Sequence, residues 1–262
     1  MSERIAIVTG ASSGLGREYV SQLLKKNSLD EIWVIARRRE RLEELCYQTV
    51  SSCACIIRPI PLDLVCPESF EAISTLLEKE KPTVQYLVNA AGFGKIGSWK
   101  DISLKDCSSM IDLNCKAAVT MTQLVLPYMD KGSCVLEICS TAAFQPFPYL
   151  GIYSATKSFL YRYSRSLRIE LMGSGIHVTA VCPYWIKDTE FISNAQETGN
   201  SSFIRHFPLA SRSRNVVKRS LADAKLGLPV STPGLVCTIH RLAAKFIPGE
   251  LMMGIWELIR RI

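Results

Sequence analysis

The sequence predicts an α/β protein with one doubly wound parallel sheet of about seven strands and helices on both faces. The chain has 262 residues, about the upper limit for one hydrophobic core, and 48% of them are hydrophobic and 21% charged, as in ordinary globular domains. Short runs rich in Val and Ile alternate with longer segments of helical period, which is typical of a parallel sheet covered on both sides. We therefore expect residues 1–262 to form a single domain.

Each predicted strand is an apolar run with the length of a buried strand. Taken in order, the first six are Ile5–Thr9, Glu31–Ala36, Cys55–Leu62, Val84–Asn89, Ser133–Cys139 and His177–Cys182. The segments between them have the apolar spacing of helices that cover a sheet. In the same order, the predicted helices are Gly14–Lys26, Arg39–Val50, Pro67–Lys79, Leu104–Met129 and Gly151–Met172. Such sheets bind ligands at the carboxyl ends of their strands, so we expect function there.

The last third of the chain predicts an edge strand, a lid and an extension. A seventh strand at Leu228–Thr232 is interrupted and followed by Pro229 and Pro233, which a central strand could not accommodate because proline lacks a ladder donor. Residues 184–215 are polar, weakly periodic and too long for an ordinary connection, and we predict a substrate lid there. Residues 234–262 are apolar and basic, and we predict a C-terminal helical extension.

Charge and cysteine content exclude several classes of protein. The net charge of +7 belongs to the last quarter, since residues 201–262 carry ten Lys/Arg and three Asp/Glu. No aromatic residues interleave with these charges, so a solvated basic face is favoured and we expect no nucleic-acid partner. Ten cysteines are too dilute for a disulfide scaffold, and the close pair Cys53 and Cys55 has no nearby His, so we expect no metal. Without a secretory signal or a transmembrane segment, a cytoplasmic protein is expected.

A glycine-rich turn connects the first predicted strand to the first helix. Glycines there let the backbone turn sharply and approach a pyrophosphate, whose charge is stabilised by the N–H groups and dipole of the helix start. A tight connection without a ligand is the alternative, but a strand before and a helix after is the context that dinucleotide binding requires. The predicted cofactor contacts in this turn are Gly10, Ser12, Ser13, Gly14, Leu15 and Gly16.

The end of the second strand predicts which dinucleotide binds. In NAD-binding folds an acid at this position holds the ribose hydroxyls, whereas here the strand continues into Arg37, Arg38 and Arg39 before Glu40. A guanidinium fork matches a 2′-phosphate, so we predict that Arg37, with Arg38 or Arg39 and the Ser12 hydroxyl, selects NADP(H). The alternative is a charged first turn of the next helix.

Four polar residues have the chemistry of a proton-transfer set. The spacing of Tyr153 and Lys157 places a phenol and an ammonium one turn apart on one helix face. Ser140 ends the fifth strand, and Asn114 lies in the long helix before it. A free phenol is too weak an acid for neutral pH, and we expect the Lys157 ammonium and an oxidised nicotinamide to stabilise its phenolate. These residues predict proton transfer to and from a substrate oxygen.

In this order and spacing, the motifs resemble those of the short-chain dehydrogenase/reductase family over residues 4–190. The resemblance rests on Thr9–Gly16, Asn89-Ala90-Ala91-Gly92, Asn114, Ser140 and Tyr153-x-x-x-Lys157. It implies a single-domain Rossmann fold, a nicotinamide cofactor and the interconversion of carbonyls and alcohols. By position, Tyr153 resembles the general acid and Ser140 the hydroxyl that holds the substrate oxygen. Lys157 resembles the ribose-binding cation and Asn114 the anchor of a proton-relay water.

The resemblance also implies cofactor contacts outside these motifs. Asp63 resembles the adenine-binding acid, and Asn89 the residue that stabilises the central strand beside the cofactor. Where the family commonly has Pro-Gly after the sixth strand, this chain has Pro183-Tyr184-Trp185 and one extra residue before the threonine. We predict that Tyr184 and Trp185 form a wall of the substrate pocket. The remaining predicted cofactor contacts are Leu64, Ala90, Ala91, Pro183, Ile186 and Thr189.

The predicted activity is NADP(H)-dependent ketone reduction or secondary-alcohol oxidation on a medium-sized or large apolar substrate, with a steroid favoured. Apolar lid residues support it, namely Phe147, Pro148, Tyr149, Phe191, Phe203 and Phe207. Residues 234–262 are similar to a subgroup of bacterial oxidoreductases and hydroxysteroid dehydrogenases. One alternative is a 3-oxoacyl thioester reductase, whose acidic carrier protein could dock on the basic last quarter. The other is an NADP(H)-binding regulator without turnover.

Two expectations concern assembly. The helices Leu104–Met129 and Gly151–Met172 resemble those through which family members dimerise, so we expect a homo-oligomer. The end of the chain could lie on a membrane, with Arg260 and Arg261 at the headgroups. The inserted residues would be Met252, Met253, Ile255, Trp256 and Ile259. A helix that closes the substrate site or an oligomer interface is favoured over this membrane contact.

Overall fold

Seven parallel strands form one sheet in the order β3-β2-β1-β4-β5-β6-β7. The structure is a computed structural model that describes residues 2–26, 28–47, 55–200, 202–207 and 209–260. Its strands are β1 Arg4–Thr9, β2 Glu31–Ala36, β3 Ile56–Pro61, β4 Thr83–Asn89, β5 Cys134–Ile138, β6 His177–Val181 and β7 Val230–Ser231. The predicted doubly wound sheet is therefore confirmed. The short β7 lies at the edge, as its prolines predict.

Ten α-helices connect and cover the strands. They are α1 Gly14–Leu23, α2 Arg39–Tyr47, α3 Pro67–Glu80, α4 Leu104–Ile111, α5 Ala118–Val125, α6 Gly151–Glu170, α7 Phe191–Gln196, α8 Ser213–Lys225, α9 Leu235–Phe246 and α10 Gly249–Ile259, counted over the described residues. The predicted end of the second helix at Val50 lies outside those residues. The helices α7 and α8 were not predicted, and both begin inside the proposed lid segment.

The long helix predicted over Leu104–Met129 is interrupted, which corrects the prediction of one continuous helix. A π-helical turn at Asp112–Ala117 separates α4 from α5. A 3₁₀ turn at Leu126–Tyr128 ends the segment, because Pro127 lacks the N–H that an α-helix would need there. Such π turns are frequent at functional sites, and this one contains Asn114.

Two hydrophobic layers hold the helices against the sheet. Successive strand residues point to opposite faces, so in β1 the side chain of Val8 joins one layer and that of Ile7 the other. The first layer packs under α1, α2 and α8, and the second under α3, α5 and α6. With both faces covered, the sheet leaves its carboxyl edge as the place for a ligand. No helix in the described part of the chain has the length and apolar character needed to cross a membrane.

Candidate active site

The glycine-rich turn lies at the carboxyl end of β1, where the strand order reverses between β1 and β4. Gly10 has a φ of +67°, and a Cβ added to it would meet the backbone of Ala91 at 2.8 Å. A Cβ on Gly16 would lie 2.3 Å from the carbonyl oxygen of Gly10. Both positions therefore need glycine, because a side chain would collide with backbone. The turn leaves the start of α1 facing a cavity at the carboxyl edge of the sheet, where the N–H groups of the helix can bind an anion.

The three arginines after β2 have different partners. Arg38 reaches the turn, where its Nη2 donates to Ser13 Oγ at 2.8 Å and its Nη2 and Nε donate to Ser12 Oγ at 3.2 and 3.3 Å. Arg37 instead faces Asp63, with Nη1 and Oδ2 3.9 Å apart, and its side chain is 70% exposed. Arg39 lies near Glu43, with Nη1 and Oε1 3.9 Å apart, so Arg38 is the one of the three predicted arginines that joins the turn.

Most of the predicted cofactor contacts line one cavity of about 340 Å³ at the carboxyl edge of the sheet. These are Gly10, Ser12, Ser13, Gly14, Leu15, Gly16, Arg37, Arg38, Asp63, Leu64, Ala90, Ala91, Tyr153, Lys157, Pro183, Ile186 and Thr189. Asn89 points away from the cavity, because its Nδ2 donates to Thr122 Oγ1 at 2.8 Å and to Glu137 Oε1 at 2.9 Å. Its position fits a strand-stabilising role rather than direct contact with a cofactor.

The predicted proton-transfer residues meet at the other end of the same cavity. Tyr153 and Lys157 lie on the first two turns of α6, and Tyr153 and Ser140 line the same cavity. Lys157 Nζ donates to the carbonyl oxygen of Ile138 at 2.7 Å, which fixes it 5.7 Å from the centre of the Tyr153 ring. Ser140 Oγ accepts the N–H of Ala142 at 3.1 Å, so its hydroxyl hydrogen can be directed to another oxygen.

Asn114 acts on the loop after β4 rather than on the cavity itself. Its Oδ1 accepts the N–H of Phe93 at 3.0 Å, and its Nδ2 donates to the Phe93 carbonyl at 2.9 Å and to Thr156 Oγ1 at 3.0 Å. The π turn aims this amide between the loop and α6. A Cβ on Gly92 would lie 2.8 Å from Asn114 Oδ1, so the loop can approach only because that residue is glycine.

Burial opposes the charged form of Tyr153 and Lys157, the two titratable side chains predicted for proton transfer. It raises the pKa of Tyr153, although the hydrogen bond from Ser140 acts in the opposite direction. Burial also lowers the pKa of Lys157. The stabilisation of the phenolate that we expect from Lys157 and an oxidised nicotinamide is therefore opposed by the protein itself, because loss of solvation on burial is the largest effect on the Tyr153 pKa.

Aromatic side chains enclose the end of the cavity that holds Tyr153. Phe191 of α7 lies beside Tyr153, with ring centres 5.4 Å apart, and Trp185 packs against Phe207 with ring centres 4.7 Å apart. Tyr184 and Trp185 both line the cavity, as predicted for a substrate wall. Phe147 lines it from another side. A large apolar molecule would therefore meet aromatic surface on several sides.

A family model described as short chain dehydrogenase matches residues 4–200. The chain belongs to the short-chain dehydrogenase family. It is therefore an oxidoreductase that acts on CH–OH groups and whose fold binds a nicotinamide cofactor. The family assignment agrees with the resemblance that the ordered motifs carry.

Named relatives cover most of the family region. Very-long-chain 3-oxoacyl-CoA reductase of Macaca fascicularis is 31% identical over 188 residues, which are 69% of this chain and 59% of that protein. The 17-beta-hydroxysteroid dehydrogenase type 3 of Mus musculus is 27% identical over 206 residues, which are 76% of this chain and 66% of that protein. Among solved structures, a short-chain dehydrogenase from Sphingobium yanoikuyae in complex with NADPH superposes with a TM-score of 0.80 at 25% identity and 95% coverage of both chains.

Two features of this short-chain dehydrogenase were not predicted from its sequence. Arg41 of α2 joins Arg38 beside the turn, and the carboxylate of Glu190 in the lid contacts both arginines. No sequence pattern connects Glu190 with the two arginines, since it lies about 150 residues after them in the chain. The second feature, Glu137, did leave a signal, because it is an acidic residue inside the apolar strand β5.

Glu137 forms a buried polar cluster with Asn89 and Thr122, behind Lys157. Its Oε1 accepts from Asn89 Nδ2 at 2.9 Å and from Thr122 Oγ1 at 2.8 Å. Among the described residues, its Oε2 and the Oδ1 of Asn89 have no hydrogen-bond partner. Complete burial raises the pKa of Glu137 to about 7, against the opposing effect of these hydrogen bonds.

The C-terminal extension exposes Ile255 of the residues proposed for membrane insertion, whereas Trp256 is buried. Trp256 is buried against Phe147, with ring centres 4.9 Å apart, so it cannot be inserted in a bilayer without unpacking the site. Arg260 lies over the ring of Tyr149 at 4.2 Å, and Arg261 lies outside the described residues. The exposed apolar residues of α9 and α10 are Leu235, Ile239, Leu242, Phe246, Leu251, Ile255 and Leu258.

Proposed function

We propose that this enzyme uses NADP(H) to interconvert a ketone and a secondary alcohol on a medium-sized or large apolar substrate. The observation that carries the proposal is one cavity with Arg38 on the Gly-rich turn at one end and Ser140 beside Tyr153 at the other. The dinucleotide fits this cavity in its chemistry, since glycines open the turn, α1 begins there and guanidinium groups replace the acid of NAD-selective folds.

The residues have distinct roles in the proposed reaction. NADPH, when bound, supplies the hydride that reduces the carbonyl carbon. Tyr153 donates its phenolic proton to the carbonyl oxygen, and Ser140 donates a hydrogen bond to the same oxygen as negative charge develops there. Lys157 places a positive charge beside Tyr153 and favours the phenolate that remains. Oxidation of the alcohol uses the same groups in reverse, with Tyr153 as the base.

The aromatic walls favour a steroid-like ketone as substrate. Phe191, Trp185 and Phe147 offer flat apolar surface around Tyr153, and the mouse relative is named as a hydroxysteroid dehydrogenase. Reduction of a 3-oxoacyl thioester is the second candidate. The macaque relative is named as a 3-oxoacyl-CoA reductase, and the basic last quarter would attract an acidic carrier protein.

Loss of nicotinamide absorbance tests these proposals directly. NADPH and NADH are compared with ketosteroids, small aryl ketones and 3-oxoacyl thioesters. We expect turnover of ketosteroids with NADPH preferred. Turnover of thioesters alone, inhibited by free carrier protein, would support the second candidate, and tight NADPH binding without turnover of any class would support a regulator.

We also propose a homo-oligomer in the cytoplasm. The helices predicted for dimerisation carry exposed apolar side chains, including Leu104 and Ile111 on α4 and Phe159 and Ile169 on α6. A second copy would cover this surface. The proposed cytoplasmic location rests on the sequence alone, because its cysteines are too dilute for a disulfide scaffold of a secreted protein.

A further inference from the structure

The carboxylate of Glu190 bridges the two arginines beside the glycine-rich turn. Arg38 Nη1 donates to Glu190 Oε2 at 3.0 Å, and Arg41 Nη1 donates to Glu190 Oε1. The other nitrogens of Arg38 hold Ser12 and Ser13 of the turn. An anion from the lid is thus bound by the same guanidinium group that reaches the predicted phosphate site.

This ion-pair cluster can exchange its anion. The side chains of Arg38, Arg41 and Glu190 are 41%, 40% and 38% exposed, so water and ligands reach all three. Hydrogen bonds from Arg41 and Arg38 lower the pKa of Glu190, which keeps it ionised at neutral pH. A 2′-phosphate carries more charge than one carboxylate and accepts the same forked hydrogen bonds.

We propose that Glu190 sets the cofactor preference of the enzyme by competing with the 2′-phosphate of NADP(H) for Arg38 and Arg41. The inference rests on the proposed use of NADP(H). With NADH, which lacks this phosphate, Glu190 stays paired with both arginines and no competition arises. With NADPH, the phosphate must displace the carboxylate, so part of the binding free energy is lost in breaking the two ion pairs. Glu190 therefore moderates the selectivity that the arginines create.

Substitution of Glu190 by Gln tests the competition, because the amide keeps the size of the side chain and removes its charge. Two partly exposed ion pairs together are worth about a factor of ten in binding. We therefore expect E190Q to lower the Kd for NADPH about tenfold and to leave the Kd for NADH within about twofold. E197Q is the matched control, since Glu190 directly precedes α7 and Glu197 directly follows it. The Glu197 side chain is 71% exposed and lies 3.8 Å from Lys95 rather than beside the arginines.

Equilibrium titration of the full chain with NADPH, NADH, 2′,5′-ADP and 5′-ADP gives the four affinities. A tighter Kd for the two 2′-phosphorylated ligands in E190Q alone supports the proposal. An unchanged ratio of NADPH to NADH affinity in E190Q overturns it. Weaker NADH binding with unchanged NADPH binding also overturns it, and would assign Glu190 to the ribose hydroxyls instead.

The same titration separates this inference from the proposed function. If the unmodified enzyme binds NADH more tightly than NADPH, the proposed NADP(H) dependence fails, whatever E190Q does. If it prefers NADPH and E190Q leaves that preference unchanged, only the role of Glu190 fails. R41Q gives a second, opposite expectation, because loss of this guanidinium should weaken NADPH binding several-fold without affecting NADH.

Discussion

Tyr153 is buried beside Lys157, and its side chain lines the same cavity as Ser140. The proton that it would transfer is therefore held where a carbonyl oxygen can reach both hydroxyls. The aromatic ring contributes separately, since it packs against Phe191. Removal of the hydroxyl alone should thus leave the shape of the cavity intact.

For this reason we expect Y153F to lower kcat at least a hundredfold, the usual contribution of a general acid. Its Kd for NADPH should stay within about twofold, because the ring and the turn are unchanged. Steady-state rates and NADPH titration measure the two effects. Activity within tenfold of the unmodified enzyme would reject the role of Tyr153.

Glu137 makes the stability of the fold depend on pH. Its pKa rises from 4.5 to about 7 in the folded protein, so the folded state binds this proton more tightly than the unfolded chain. Protonation of Glu137 therefore stabilises the fold fully at pH values below 4.5. This contribution to the free energy of unfolding is lost as the pH rises through about 7. The shift corresponds to a change of about 3 kcal/mol in the free energy of unfolding.

We expect E137Q to remove this pH dependence between about pH 5 and pH 8, because glutamine does not ionise. Urea unfolding across that range measures the free energy at each pH. E197Q, on the exposed lid, should keep the slope of the unmodified protein. If the free energy of unfolding changes equally with pH in the unmodified protein, E137Q and E197Q, Glu137 is not the titrating group.

At the level of elements, the strands were more predictable than the lid. Val- and Ile-rich runs such as β2 are buried on both faces, and their hydrophobic pattern is local. The helix α8 is polar on one side and lies after a weakly periodic segment, so its sequence did not distinguish it from a loop. The π turn that positions Asn114 was also missed, because it lies inside an unbroken helical segment and the sequence analysis assigned that segment to one long helix.

The same contrast holds within the site. The residues that follow strand ends, such as Ser140, could be placed by topology alone. Which arginine reaches the turn could not, since this depends on how the chain leaves β2, and the structure favours Arg38 over Arg37. Glu190 depends on the path of the lid, which packing rather than local sequence decides.

The helix α10 supports the substrate end of the cavity through one aromatic contact. Phe147 lines the cavity, and Trp256 lies behind it. The rings of Trp256 and Phe147 pack edge to face. We expect W256A to destabilise the fold by about 3 kcal/mol and to raise KM for an apolar ketone several-fold. The Kd for NADPH should not change, because α10 does not touch the turn.

Thermal unfolding and steady-state kinetics measure both effects of W256A. The control is L258A on the same helix. The side chain of Leu258 is 67% exposed, so its truncation should be tolerated. Equal changes in KM for the two variants would contradict a specific role of the contact between Trp256 and Phe147.

Across the whole molecule, large apolar side chains are exposed on both faces of the sheet. The helices α4 and α6 carry large apolar side chains in water, with Leu104 88% and Phe159 50% exposed. Tyr47 at the end of α2 lies on the opposite side of the sheet. An oligomer built through α4 and α6 would cover the first surface and leave Tyr47 in solvent.

We therefore expect F159D to shift the protein from oligomer to monomer, since a buried unpaired carboxylate is costly in an interface. Sedimentation velocity measures the mass in solution, and circular dichroism checks that the monomer stays folded. Y47D is the control and should keep the mass of the unmodified protein. The idea is refuted by an F159D protein that sediments like the unmodified one.

Three consecutive lid residues, 189–191, reach both ends of the cavity. Thr189 lies beside Gly14, Glu190 holds Arg38 and Phe191 lies beside Tyr153. For protein engineering, this means that cofactor exchange cannot be designed at β2 alone. An acid installed at position 38 to favour NADH would face Glu190 across the space that the guanidinium now fills, and the two carboxylates would repel. A successful redesign must change the lid together with the strand end.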